Sequence, residues 1–389
     1  MPIINRLAEY QDDVVAWRHD LHRHPELLYE VHRTAATVAE RLKEFGVDEI
    51  VTGLGRTGVV GVIKGRRGTG GKTIGLRADM DALPIQEITG KPYASTVPGK
   101  MHACGHDGHT AMLLGAARYL AETRNFDGTA VVIFQPAEEG GGGGLAMVED
   151  GLMERFGIDE VYGMHNMPGL DLGHFAIRTG PIMAATDEFN FDIRGIGGHA
   201  AKPHLTIDTV VVGAQLVQAM QTIVSRSVDP LESVVVSVTK FHAGDAHNII
   251  PETARLGGTV RTLTTEMRDL AEARIRAIAA GVAATFGATI EVDYDRNYPV
   301  TRNHVKETGF AARVASAIVG ADRVDTEAAP MMGGEDFSYM LEKRPGAFIF
   351  VGNGASAGLH NPSYDFNDDV IPFGSSYLAK LVETALEPA

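Results

Sequence analysis

GTAVVIFQPAEEGGGG, from Gly128 to Gly143, joins a short apolar run to a polar, glycine-rich turn. The apolar run is rich in β-branched residues and stops at Pro136, which is typical of a strand that is buried on both faces. A segment with helical spacing precedes this strand, from His109 to Glu122. A helix followed by a buried strand is the repeating unit of a parallel α/β sheet.

The same unit recurs on both sides of this stretch. Further buried strands are predicted for GVVGVIKG (58–65), TIGLRAD (73–79), EVYGMHN (160–166) and GAFIFVGN (346–353). Helices are predicted for residues 5–24 and 32–45, and from Gly374 onward. This alternation predicts a mostly parallel sheet, in which ligands bind at the carboxyl ends of the strands.

The pattern changes near Gly180. DEFNFDIRG (187–195) alternates polar and apolar residues, as a half-exposed antiparallel strand does. A helix, two strands, a helix and a strand are then predicted at 207–224, 233–244, 254–263, 265–286 and 288–299. This β-α-β-β-α-β order predicts a split βαβ, ferredoxin-like domain. We therefore expect an α/β domain in two parts, residues 1–182 and 299–389, interrupted by a smaller α+β domain at residues 183–298.

Composition excludes several classes of protein. The formal net charge of −15 argues against nucleic-acid binding, which needs a basic face. One cysteine cannot form an internal disulfide, so a reducing, cytoplasmic setting is expected. We find neither a signal-peptide pattern near the N-terminus nor an apolar run long enough to span a bilayer, and we expect no membrane partner.

Candidate metal ligands cluster in the sequence. MHACGHDGHT, from Met101 to Thr110, contains three histidines, an aspartate and the only cysteine of the chain. Other side chains that can bind metal follow predicted strands, at Asp79, Asp81, Glu138, Glu139, His165 and His360. Thiolate, imidazole and carboxylate groups together suit zinc or another late first-row divalent cation.

Cys104 has two interpretations. A lone buried cysteine is usually a small apolar residue. Polar side chains crowded into glycine-rich turns have no packing role, however, and two cations about 3.5–4 Å apart need a shared ligand. A thiolate can be that ligand, so we predict that Cys104 bridges two metals. Spacing leaves open which of His102, His106 and His109 binds beside it.

Glu138 and Glu139 follow the strand that ends before Pro136. Consecutive residues of an extended chain point to opposite sides, so one carboxylate can bind metal while the other faces the cleft. We predict that Glu139 binds metal and that Glu138 is a general base beside an activated water. The alternative is a pair of solvated surface glutamates.

Six motifs occur in order along the chain: GLRADMDALP, MHACGHDGHTAMLLGAA, FQPAEEGGGG, GMHNMP, GGHAAKPH and GLHNPSYDF. Together they resemble the M20 metallopeptidase and aminoacylase family over nearly the whole chain. They are most similar to its M20D subfamily of hippurate hydrolases, N-acyl-amino-acid amidohydrolases and auxin-conjugate hydrolases. The resemblance implies a zinc-peptidase-like catalytic domain and an inserted lid that carries the dimer interface.

Carried over to this sequence, the resemblance assigns the metal ligands to Cys104, His106, Glu139, His165 and His360. It implies two divalent cations per subunit, and such a ligand set accommodates zinc, manganese, cobalt or nickel. It also makes Glu138 the general base and Asp81 a residue that orients a histidine ligand.

In the lid, the resemblance makes His199 a residue that reaches the active site of a neighbouring subunit and stabilises an oxyanion there. Asn248 and Arg261 match positions that hold the substrate carboxylate, for which the planar guanidinium is well suited. From the residues alone, His199 would be a turn-capping histidine, and for Arg261 an exposed strand arginine is as well supported as a carboxylate-binding one. A homodimer or homotetramer through the lid is expected.

The predicted reaction is hydrolysis of the amide bond of N-acyl amino acids, such as hippurate-like, N-acetyl or aryl-acetyl conjugates. A water that bridges the metals attacks the acyl carbon, and Glu138 moves its proton to the leaving amine. Alternatives on the same scaffold are dipeptidase or carboxypeptidase-like hydrolysis and hydrolytic deamination of an aromatic amine. A non-catalytic metal-binding protein, such as a sensor, would have no use for the base Glu138.

Overall fold

The structure is a computed structural model that describes residues 3–66 and 71–388. The chain forms two compact units. The larger unit runs up to Ile182 and also contains Arg302–Ala329 and the chain from Asp336 onward. The smaller unit contains Met183–Thr301 and Pro330–Glu335. Residues 1, 2, 67–70 and 389 of the predicted two-part α/β domain lie outside the described residues.

The strands are numbered in chain order. They are β1 Glu49–Leu54, β2 Gly58–Lys64, β3 Thr73–Asp79, β4 Thr129–Gln135, β5 Glu160–Pro168, β6 Phe175–Ala176, β7 Gly180–Met183, β8 Ala185–Arg194, β9 Gly198–His199, β10 Val234–Ala243, β11 Ile249–Ile250, β12 Thr253–Thr262, β13 Thr289–Arg296, β14 Thr301–Asn303, β15 Val324–Asp325 and β16 Gly346–Gly354.

The helices are numbered in the same way. They are α1 Asn5–Glu9, α2 Gln11–Arg23, α3 His32–Glu44, α4 His106–Thr123, α5 Gly143–Glu149, α6 Leu152–Arg155, α7 Thr209–Met220, α8 Thr265–Phe286, α9 Val305–Val319, α10 Ser338–Lys343 and α11 Ile371–Ala385. In the part of the chain that the structure describes, none of these helices is both long and apolar enough to cross a bilayer.

The larger unit contains an eight-stranded sheet in the order β1-β2-β4-β3-β5-β16-β6-β15. Its centre is parallel, because β4, β3, β5 and β16 all run in one direction. The edge pair β1 and β2 is antiparallel. The central strand β4 is buried from Ala130 to Gln135, which explains its continuous apolar sequence. The predicted α/β fold with a mostly parallel sheet is confirmed.

The smaller unit contains a four-stranded antiparallel sheet in the order β10-β12-β8-β13. Phe189, Phe191 and Ile193 of β8 are buried on one face, where they share a core with residues of α7 and α8. The element order β8-α7-β10-β12-α8-β13 is the predicted split βαβ arrangement. This separate antiparallel sheet confirms the predicted α+β insertion.

Several predicted helices have different bounds in the structure, and the one predicted from Gly374 begins at Ile371. The helix predicted for residues 5–24 is divided at Tyr10 into α1 and α2. The helix predicted for residues 207–224 ends at Met220, and a π-helical turn follows at Ile223–Ser227. The helix predicted from His109 begins instead at His106, which follows Gly105 in a left-handed conformation. His106 is therefore the first residue of α4.

Candidate metal centre and active site

Neighbouring strands of the larger sheet carry the candidate residues at their carboxyl ends. Asp79 ends β3, Glu138 and Glu139 follow β4, and His165 lies near the end of β5. These strands are adjacent and parallel, so their carboxyl ends meet at the same edge of the sheet. The fold therefore brings residues together that are far apart in the sequence.

Cys104 lies between two sets of potential ligands. Its sulfur and one nitrogen each of His106 and His165 lie within 4.8 Å of one another. The same sulfur forms a second such set with Glu139 and His360. The distance from Cys104 Sγ to His165 Nε2 is 3.4 Å, and that from His360 Nε2 to Glu139 Oε1 is 3.3 Å. All five predicted ligands are thus brought together, with the thiol shared between the two sets.

His360 reaches the cluster from the loop after β16. Its backbone N–H donates to the carbonyl oxygen of Ala103 at 2.7 Å, which joins this loop to the segment that carries Cys104. The φ of His360 is +61°, a left-handed conformation that non-glycine residues rarely adopt. Such backbone strain persists where the surrounding contacts enforce it, as they do at functional sites.

The geometry distinguishes the three histidines of MHACGHDGHT. His109 uses both ring nitrogens, since Nδ1 lies 2.7 Å from Asp79 Oδ1 and Nε2 accepts the backbone N–H of Asn166 at 3.0 Å. His106 Nδ1 lies 2.8 Å from the main-chain oxygen of Asp81, while its Nε2 is buried without a hydrogen-bond partner among the described residues. Of these two histidines, His106 is the one whose Nε2 is free to bind a cation. His102 is buried but, within residues 3–66 and 71–388, belongs to none of the donor sets.

Glu138 and Glu139 lie in a turn. Our assumption that they continue an extended strand is wrong, because Ala137 adopts a left-handed conformation with a φ of +53°. Their backbone N–H groups donate to the two carboxylate oxygens of Asp81, at 2.9 and 3.1 Å. Asp81 therefore orients His106 through its main-chain carbonyl and the glutamate pair through its side chain.

The electrostatics of the cluster favour a positive charge. Burial raises the pKa of the Cys104 thiol well above its usual value, and the negative charges of Glu139 and Glu138 raise it further. Burial alone would lower the pKa of His106, but the charges of Asp79 and Asp81 raise it to about 10. A cation would stabilise the thiolate and compete with the proton on His106.

His165 is suited to bind a cation as a neutral imidazole. Burial, followed by the nearby His109, lowers its pKa well below the usual value. Its Nδ1 lies 2.6 Å from the carbonyl oxygen of Asn166, so that nitrogen carries the proton and Nε2 faces Cys104. A carbonyl that fixes the tautomer in this way is typical of histidine ligands.

The smaller unit holds the other predicted site residues. His199 is exposed, pairs with Ile249, and accepts the backbone N–H of Ala201 at its Nδ1. The main chain of Asn248 lies beside it, because the Asn248 carbonyl accepts the Ala200 N–H at 3.0 Å.

Arg261 lies elsewhere in the smaller unit. It is half-buried on β12 and pairs with Thr186 near the start of β8, whereas the segment carrying His199 follows the far end of β8, after Arg194. Eight residues of extended strand separate the two ends, or roughly 25 Å. The structure thus brings His199 and Asn248 together and places Arg261 apart from both.

Sequence reasoning missed a second layer of buried residues behind the cluster. Arg77 donates to Asp79 Oδ2 at 2.7 Å and to Asp336 Oδ1 at 2.9 Å. Gln135 and the backbone N–H of Gly144 also donate to Asp336. An arginine inside the apolar strand TIGLRAD was the available signal, since a buried guanidinium needs carboxylate partners.

Comparison with known proteins places the chain in a family. The sequence pattern of Peptidase family M20/M25/M40 matches residues 75–384. The hippurate hydrolase of Campylobacter jejuni is 44% identical over 381 residues, which are 98% of each chain. The N-acetylcysteine deacetylase of Bacillus subtilis is 39% identical over 375 residues, which are 96% of this chain and 97% of the relative.

A solved structure extends the comparison to the fold. The YXEP protein of Bacillus subtilis, a dinuclear metal-binding peptidase of the M20 family, matches with a TM-score of 0.85 and 35% identity. The match covers 98% of this chain and 100% of that one. The chain is thus a hydrolase of peptidase family M20.

Proposed function

We propose that the protein is a metal-dependent amidohydrolase that cleaves the amide bond of N-acyl amino acids. The observation that carries the proposal is the position of Cys104 in two sets of donor atoms, with Glu138 and Glu139 beside His106. The names of two relatives, a hippurate hydrolase and an N-acetylcysteine deacetylase, support this substrate class.

The donor groups fit two divalent cations. We assign one cation to Cys104, His106 and His165, and the other to Cys104, Glu139 and His360. His106 Nε2 and Glu139 Oε1 support this assignment, since both are buried and neither forms a hydrogen bond among the described residues. Zinc, manganese, cobalt or nickel suits the set. When bound, the cations would lower the pKa of water and polarise the scissile carbonyl.

Glu138 is assigned the proton transfers. One of its carboxylate oxygens lies within 4.8 Å of the donor atoms of His106 and Glu139, and its backbone is fixed by Asp81. It would accept a proton from the attacking water and deliver it to the nitrogen of the leaving amine. Both transfers need a carboxylate that is close to the reacting atoms but is not itself a ligand.

We assign substrate contacts to the smaller unit. His199 would donate to the developing oxyanion, and Asn248 and Arg261 would hold the carboxylate of the amino-acid part. Arg261 pairs at one end of β8 and the segment carrying His199 follows the other end, roughly 25 Å away along the strand, so we infer that the two residues of one copy do not contact the same small substrate. We propose that His199 and Asn248 serve the site of a second copy in a homodimer or homotetramer.

Peptide hydrolysis is the second candidate, supported by the description of the YXEP protein as a peptidase. The same base and cations would attack a peptide carbonyl, and only the group on the acyl side would differ. The two functions are therefore distinguished by substrate and not by mechanism.

A panel of substrates tests the proposal. The native chain is stripped with a chelator, reloaded with each of the four metals, and assayed by amine release on hippurate, N-acetyl amino acids and dipeptides. We expect metal-dependent release from the N-acyl amino acids at rates well above those for dipeptides. Faster hydrolysis of dipeptides would favour the peptidase, and inactivity on the whole panel would contradict both functions.

A further inference from the structure

We propose that Asn166 is a positioning residue that holds together the separate segments carrying the metal ligands. The inference rests on the metal-dependent function proposed above. Asn166 lies next to His165 at the end of β5 and is fully buried. The mechanism gives it no contact with substrate or metal.

The side chain of Asn166 joins two other segments, residues 101–110 and the loop after β16. Its Nδ2 donates to the carbonyl oxygen of Cys104 at 2.7 Å and lies 3.0 Å from Nε2 of His109. Its Oδ1 accepts the hydroxyl of Tyr364 at 2.8 Å. Tyr364 follows His360 in the same loop. A single amide therefore contacts both the 101–110 stretch, at Cys104 and His109, and the loop that carries His360.

The backbone of Asn166 contributes as well. Its N–H donates to His109 Nε2 at 3.0 Å, and its carbonyl lies 2.6 Å from His165 Nδ1. Both the main-chain and side-chain polar groups of this residue thus fix a ligand or a segment that carries one.

The packing around this amide leaves no room for a side chain at Gly105. An ideal Cβ at Gly105 would lie 2.3 Å from Asn166 Nδ2 and 2.6 Å from the Tyr364 hydroxyl. Gly105, with a φ of +92°, sits between the two ligands Cys104 and His106. The amide therefore fixes the backbone turn that directs both ligands toward the cluster.

The required chemistry is that of asparagine. The amide donates to the Cys104 carbonyl, shares the single Nε2 lone pair of His109 with the backbone N–H of Asn166, and accepts the Tyr364 hydroxyl. Aspartate has the same shape but would place an oxygen against the Cys104 carbonyl and His109 Nε2, both of which are acceptors. Asn166→Asp is therefore the substitution that breaks the contacts with least change in volume.

Asn303 provides a matched control in the same unit. It is also buried, and its side chain donates to the Arg178 and Phe348 carbonyls and accepts the Phe348 N–H. It thus has the same pattern of two donations and one acceptance, but none of its partners is a metal ligand. Asn303→Asp reports the cost of placing a carboxylate in a buried amide site.

The experiment measures metal binding as well as activity. The native chain, N166D and N303D are stripped and titrated with Co²⁺ against a competing chelator, while thiolate-to-cobalt absorption and thermal unfolding of the apoprotein are recorded. We expect N166D to lose about 10–100-fold in cobalt affinity with altered absorption. N303D should bind cobalt within about twofold of the native chain, even where its apoprotein unfolds at a lower temperature.

The outcomes separate this inference from the proposed function. Equal cobalt affinity and absorption in N166D and N303D would overturn the positioning role while leaving the metal-dependent function intact. A native chain that binds no cobalt would overturn the function itself, and this inference with it. If N166D does not fold, Tyr364→Phe removes one hydrogen bond of the same amide, and we expect about a fivefold loss of cobalt affinity. Unchanged affinity in that variant would count against the role.

Discussion

The metal cluster and the substrate residues assigned to the smaller unit are held in contrasting ways. Cys104 and His106 are 7% and 0% exposed, and His106 Nδ1 lies 2.8 Å from the main-chain oxygen of Asp81 in the same unit. His199 and Asn248 are exposed, and His199 is bonded to the main chain of its own loop. The contrast teaches that the buried members of the proposed ligand set are preorganised by contacts within the larger unit, whereas the residues proposed for oxyanion and carboxylate binding include an exposed segment of the smaller unit.

The largest effect is expected for Cys104→Ala, which removes the donor common to both sets. We expect bound metal and activity to fall together, and turnover to drop below detection, since loss of even an outer hydrogen-bond partner typically costs 10–100-fold. Elemental analysis and an assay on hippurate measure the two quantities. Two metals retained per chain would show that Cys104 is not a bridging ligand.

Glu138→Gln separates chemistry from metal binding within the same cluster. We expect turnover to fall by about 10²–10⁴-fold while metal content stays unchanged, because Glu138 is assigned to proton transfer and not to ligation. Glu139→Gln is the matched control, and it should lose metal. If E138Q loses metal and E139Q keeps it, the roles of the two glutamates are reversed.

Within the smaller unit, the sequence predicted some elements and not others. β8 was predictable because its polar–apolar alternation records burial on one face, and Phe189, Phe191 and Ile193 are indeed buried. The end of α7 at Met220 was not, because the apolar pattern continues into the π-helical turn. There Ser225 Oγ donates to the carbonyl of Gln221, a local contact that competes with regular helix geometry.

The site was predictable as a set of residue types at strand ends, but not as a set of contacts. No local pattern distinguishes His106 from His109. They differ because the ring nitrogens of His109 are hydrogen-bonded to Asp79 and Asn166, which lie 30 and 57 positions away in the sequence. The turn at Ala137 was also hidden, because its left-handed conformation depends on packing and not on residue type. The separation of Arg261 from His199 could be recognised only from the strand register in the structure.

His199→Ala tests whether the exposed segment that carries His199 takes part in the reaction. We expect turnover to fall by about 10²–10³-fold, as for loss of an oxyanion donor, with metal content unchanged. His204→Ala, a change in an exposed histidine of the same unit, should leave turnover near the native value.

Mixing H199A with E138Q chains sharpens this test. If His199 serves the site of a second copy, one of the two sites in a mixed dimer has both functional groups, and part of the activity returns. Heterodimers proven to form but without recovered activity would show that His199 does not act across copies.

The smallest effect is expected for Arg261→Lys, because lysine keeps the charge but loses the planar fork that binds a carboxylate at two points. Burial lowers the pKa of Arg261, yet guanidinium stays charged at neutral pH, so geometry and not ionisation decides the outcome. We expect KM to rise about tenfold with kcat nearly unchanged, because one charge-assisted hydrogen bond to the substrate is lost.

Arg255→Lys is the matched control, since Arg255 lies on the same strand and pairs on the surface with Asp192. A fall in kcat of R261K, or an equal change in R255K, would mean that Arg261 does not bind the substrate carboxylate and that this end of the smaller sheet is structural.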